Sequence, residues 1–161
     1  MEAAAARCSR EPLEDYGPFS LVIASESDAV VLTNVGGRHR FRLPRGLSVL
    51  TNVGPAEQCP RRATARRAFE QLLDRIAADP PPDRLVPLLA AVLADHRNTV
   101  DPSDENPLAR LCVHAPGYGT RSATILVVEA GGATAAYHAD GPPCSHEFRP
   151  IYDFNAGRSR R

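Results

Sequence analysis

Lysine and tryptophan are absent from this 161-residue sequence, methionine occurs once, and aromatics make up 6%. The missing lysine has the widest consequence, because all 19 basic residues are then arginine. A Walker-type phosphate lysine, a Schiff-base lysine and a pyridoxal-phosphate attachment are excluded together. An excess of one charge is missing too, since 19 arginines face 19 acidic residues. Zero net charge gives no general pull toward nucleic acid or an anionic membrane, and neither is expected as a partner. No apolar run approaches the roughly 18 residues of a membrane span. The opening Met1-Glu2-Ala3-Ala4-Ala5-Ala6-Arg7 lacks the apolar stretch of a signal peptide, so a cytoplasmic protein is expected. Cys8, Cys59, Cys112 and Cys144 form no C-x-x-C pair and read as reduced thiols.

What is present is ordinary globular material. Apolar residues make up 43% and charged residues 24%, which argues against a disordered chain. One domain is expected over 13–155, with a tail or frayed helix at 1–12 and an Arg-rich tail at 156–161. Short β-rich runs come first: 19–25, 29–34, 38–43 and 47–53, separated by turn-forming stretches that include Gly36-Gly37 and Pro44-Arg45-Gly46. In the third run His39, Phe41 and Leu43 face one way and Arg38, Arg40 and Arg42 the other. Four strands in meander order predict an antiparallel sheet.

Two helices follow. Ala65, Ala68, Phe69, Leu72, Leu73 and Ile76 recur at helical spacing, which predicts a helix over 61–78. Leu85 to Leu93 predicts a second, ending near His96, with Pro87 acceptable only close to its first turn. Strands return at 111–114, 120–128 and 133–138, and Ile125-Leu126-Val127-Val128 reads as covered on both faces. The order predicts an α+β fold, an antiparallel sheet with both helices on one face.

Three groups of residues could carry chemistry. Tyr118, Thr120, Arg121 and Ser122 stand at a strand entrance between glycines, where hydroxyls and a guanidinium suit a carboxylate or phosphate. The alternative is that Arg121 pins local carbonyls or a carboxylate. Cys112-x-His114 and Cys144-x-His146 each place a thiol and an imidazole two apart. Together they could form a Cys2His2 zinc site or a haem ligand set. Buried inert thiols are the alternative, and no metal or cofactor is expected. Arg38, Arg40 and Arg42, with Arg61, Arg62, Arg66 and Arg67 at a helix start, could attract an anion, or could form a solvated face balanced by Glu57, Glu70 and Asp74. His39 and His138 read as structural.

Tyr118-Gly119-Thr120-Arg121-Ser122, followed by an aliphatic strand and a glycine turn, resembles the C-terminal motif of the NRDE-domain (Transport and Golgi organization 2) family. Tyr16-Gly17-Pro18-Phe19-Ser20-Leu21-Val22 is similar to that family's Y-x-x-F-N-L-L strand, with Ser20 in place of Asn. Val31 to Gly37 and Gly46 to Asn52 match further segments in order, and Asp140-Gly141-Pro142-Pro143-Cys144 resembles an ending found in archaeal and bacterial members. The resemblance covers 13–153 and implies part of an N-terminal-nucleophile-hydrolase-like αββα sandwich.

The departure from the family concerns mechanism. Members begin Met-Cys, the Cys resembling an N-terminal nucleophile, and carry an Asn-Arg-Asp-Glu motif. Here residue 2 is Glu2, and no Asn-Arg-Asp-Glu occurs. The resemblance therefore implies a non-catalytic protein corresponding to the C-terminal two-thirds of the family fold, with no catalytic residue carried over. Haem or an acyl-coenzyme A-like ligand, anionic or amphipathic, is the partner it implies, together with self-association or an N-terminal companion segment. The alternative is an amidohydrolase whose Cys-bearing segment is encoded upstream.

Overall fold

A computed structural model describes residues 2–25, 27–53, 58–76, 80–129 and 132–153. The expected turn at Gly131, the counter-charge Glu57 and the Arg-rich 156–161 fall outside the described residues. The architecture is α+β with antiparallel strands throughout. No helix among the described residues is long and apolar enough to cross a membrane.

Residues 2–8, expected as part of a tail or a frayed helix, form helix α1 (Glu2–Cys8). The reason is packing: Ala5 is fully buried against Val30 and Leu32. Strands β1 (Ser20–Ala24), β2 (Ala29–Thr33) and β3 (His39–Arg42) make the expected meander. β2 is the central strand, and Val30, Val31, Leu32 and Thr33 are all buried. Arg40 and Arg42 lie opposite Leu32 and Val30 in the register and reach Glu2 of α1, each at 2.6 Å. The alternation read from β3 thus sets which face α1 covers.

The fourth strand expected at 47–53 does not form. Gly46, at φ +93°, turns the chain out of the meander. Leu47, Val49, Leu50 and Val53 instead line a hollow between Phe41 and the arginines of the next helix, where Arg62 donates to Thr51 Oγ1 at 3.1 Å. The apolar content of the segment serves packing rather than pairing.

Helix α2 (Pro60–Leu73) opens on a proline and buries Thr64, Ala65 and Ala68. It ends before the expected 78, and residues 77–79 are outside the described set. Helix α3 (Pro82–Leu93) also opens on proline, and Pro87 sits inside it. α2 packs on α3 and on a short 3-10 turn at Pro107–Ala109, while α3 packs on the strand Ala123–Glu129. The run at 111–114 shortens to β4 (His114–Ala115), paired with β5 (Tyr118–Gly119).

The last ladder is β6 (Ala123–Glu129), β7 (Gly132–Ala139) and β8 (Arg149–Asp153). Ile125 is buried, but Leu126 is 58% and Val128 52% exposed, so β6 is open on its other face. The expectation of cover on both faces fails there. The strands fall into three separate ladders rather than one sheet.

Candidate functional site

The end of α3 and the start of β4 are stitched together by two reciprocal bonds. Cys112 N–H donates to the Asp95 carbonyl at 3.1 Å, and His96 Nδ1 donates to the Cys112 carbonyl at 3.0 Å. A carbonyl only accepts, so Nδ1 carries a hydrogen, and in the neutral ring the lone pair is on Nε2. The stitch rests on a buried polar anchor: Thr64 Oγ1 of α2 donates to Asn98 Oδ1 at 3.0 Å, and that oxygen also accepts from Val100 and Asp101 N–H. The segment that follows α3 is therefore fixed against α2 on one side and the approach to β4 on the other.

Around this stitch His96, Cys112, His114 and Cys144 converge, one donor atom from each lying within 4.8 Å of all the others. His114 Nε2 stands 3.7 Å from Cys112 Sγ and 3.2 Å from Cys144 Sγ. The His96 and His114 rings are 5.1 Å apart, centre to centre. Cys112 is fully buried, whereas His96, His114 and Cys144 reach the surface. Burial pushes the Cys112 thiol above its ordinary pKa, and the neighbouring Cys144 thiol adds to the effect. Beside His96, the hydrogen bond from Arg97 holds the Asp95 carboxyl below the usual range despite partial burial.

This grouping corrects the set Cys112, His114, Cys144 and His146 read from the two C-x-H pairs. His146 is replaced by His96. Cys144 and His146 lie in a tight turn where Ser145 and His146 N–H both donate to the Pro142 carbonyl. In such a turn residues two apart do not share a face. The His146 ring packs on the Gly141 backbone instead, and its Nδ1 lies 3.1 Å from Ser145 Oγ.

The segment beyond β4 turns at Pro116-Gly117, where Gly117 takes φ +70°, the positive value a type II turn needs at its second central residue. Thr120 then closes the hairpin: its N–H donates to the Val113 carbonyl at 2.9 Å and its Oγ1 accepts from Val113 N–H at 3.0 Å. The Thr120 hydroxyl is thus engaged by the fold. Arg121 and Ser122 are exposed, and neither has a hydrogen-bond or ion-pair partner among the described residues. Tyr118 is half exposed and borders two adjoining depressions. One, of about 670 Å³, is lined by His114, Tyr118 and Arg121. The other, of about 630 Å³, is lined by Pro60, Pro107, Leu108 and Tyr118 among others.

Six of the seven grouped arginines are engaged inside the molecule, Arg62 through Thr51 as above, while Arg67 is exposed with no partner among the described residues. Arg40 and Arg42 hold Glu2, and Arg42 also holds Asp28 at 3.0 Å. Arg38 donates to the Glu11 carbonyl, Arg61 to the Leu108 carbonyl, and Arg66 pairs with Glu70 at 2.9 Å. His39 and His138 likewise have local partners, the Gly36 carbonyl and the Thr124 hydroxyl.

Comparison with curated proteins and with solved structures gave no match. A family model described as Transport and Golgi organisation 2 matches residues 2–139. The matched span starts at α1, takes in Cys112, His114 and the Tyr118–Ser122 segment, and stops before Cys144. It covers well over half of the sequence, and the chain accordingly belongs to the Transport and Golgi organisation 2 family.

Proposed function

We propose that this family member is a non-catalytic cytoplasmic binding protein for a small ligand with an anionic end and an apolar body, of the haem or acyl-coenzyme A class. The observation that carries the reading is the pair of adjoining depressions that share Tyr118. Each has the volume of an ordinary ligand pocket, roughly 300–1,000 Å³. The Arg121 guanidinium, without a partner among the described residues, supplies a charge-assisted donor to a carboxylate or phosphate on one side. Pro60, Pro107 and Leu108 supply an apolar wall on the other. The Tyr118 ring covers the ligand between them, and Ser122 is a secondary donor.

The non-catalytic part of the reading is supported by the Cys112 thiol. Burial raises the Cys112 thiol above its ordinary pKa, which disfavours the thiolate that a nucleophile needs. Self-association belongs to the same reading, since Leu126, Val128 and Ile151 are each more than half exposed on β6 and β8.

The test is titration of the purified chain with haemin and with an acyl-coenzyme A. Arg121→Ala is expected to weaken binding about tenfold, in keeping with about 1.5–3 kcal/mol for a charged hydrogen bond. Its melting curve should stay within about 0.5 kcal/mol of the parent, as for an unpartnered surface residue. Failure of both ligands to bind, or equal binding by Arg121→Ala, would reject the groove. Hydrolysis of an amide substrate by the purified chain would reject the non-catalytic assignment.

A further inference from the structure

We infer that His96, Cys112, His114 and Cys144 form a structural zinc site that fastens the end of α3, the β4 hairpin and the 142–146 turn to one another. Two sulfurs and two imidazole nitrogens are the donor set that borderline-soft zinc prefers. They come from segments far apart in sequence, yet one donor atom of each lies within 4.8 Å of the rest. Spacing supports the assignment. With Zn–S about 2.3 Å and Zn–N about 2.0–2.1 Å, tetrahedral geometry puts sulfur and nitrogen about 3.6 Å apart. The His114 Nε2 distances to the two sulfurs, 3.2 and 3.7 Å, bracket that value.

The tautomer is also prepared. A zinc-binding histidine commonly donates its other ring N–H to a backbone carbonyl, which fixes the ring and leaves a lone pair for the metal. His96 Nδ1 makes this bond to the Cys112 carbonyl, so one ligand orients another. Four protein donors fill the coordination of the ion, which marks a structural rather than a catalytic site. Binding converts both thiols to thiolates, so one zinc ion displaces two protons to solvent and leaves a group of no net charge, suited to the buried Cys112. The exposed His96, His114 and Cys144 leave a path for the ion to enter.

The site is tested on the full chain under reducing conditions with no groove ligand present, which keeps it distinct from the anion site. Zinc should bind one ion per chain and raise the melting temperature. Cobalt in its place should give the intense visible bands of a tetrahedral ion and a near-ultraviolet thiolate charge-transfer band. Cys144→Ser and His96→Ala, both at exposed positions, should weaken zinc binding by more than the roughly 10–100-fold cost of losing an outer partner. His146→Ala should leave it unchanged. Absence of the cobalt spectrum overturns the assignment, as does a spectrum that survives Cys144→Ser or disappears in His146→Ala.

Discussion

Gly141 shows how one residue decides where a neighbouring side chain goes. Its φ of +152° belongs to a region that L side chains rarely adopt, and a Cβ there would stand 2.3 Å from the His146 ring. Gly141→Ala therefore meets two penalties, strained backbone and a displaced imidazole. The backbone part alone is about 1–3 kcal/mol. Urea unfolding should show this loss, and adding His146→Ala should recover only the part due to the clash. Full recovery in the double variant would place the whole cost on the ring. Gly141 also explains what was legible at this scale. Cys112-x-His114 leads into an extended strand, where residues two apart share a face, so the pair could be read directly. Cys144-x-His146 has the same spacing, but the turn after Gly141 breaks that rule. His96 carried no local signal, because nothing in a helix end announces a carbonyl partner on a strand sixteen residues away.

Among the elements, α3 carries a defect visible in both sequence and structure. Pro87 lies six residues into a helix that starts at Pro82, beyond the turn where a missing N–H costs nothing. A proline there cannot donate to the Asp83 carbonyl four residues earlier, and a ring at that position is expected to crowd it. Pro87 is exposed, so replacement disturbs no core. Pro87→Ala should stabilise the protein by about 1 kcal/mol or more, read as a higher melting temperature. A lower melting temperature would mean that Pro87 favours the form of α3 that packs on β6. Strands were legible where pairing governs them and illegible where it does not. β1 to β3 follow their alternation and turns. The apolar run at 47–53 has strand composition but packs across toward α2. β8 escaped notice because Pro150 interrupts it, and an edge strand, paired on one side only, tolerates that.

For the whole molecule, composition and element order were enough for an α+β, antiparallel protein with no membrane-length helix among the described residues. How the strands divide was not, because short strands carry no mark of which ladder they will join. Order along the chain is also a poor guide to order in time. The seven residues of α1 are too few for a stable helix in isolation. Their conformation is borrowed from the meander, through Ala5 on Val30 and Leu32 and through the Glu2 carboxylate shared by Arg40 and Arg42. That carboxylate has no partner until β3 has formed some forty residues later. α1 therefore docks only after the meander that follows it in sequence. Its exposed ion pairs weaken as salt screens them. Amide exchange in α1 should outpace exchange in β2, the gap should widen with salt, and Glu2→Gln should widen it at low salt. Equal protection at every salt concentration would mean that α1 and the meander open as one unit. Otherwise α1 is a hinged cover over Val30 and Leu32, and the apolar centre of the first sheet is a surface that the protein uncovers and covers again without unfolding.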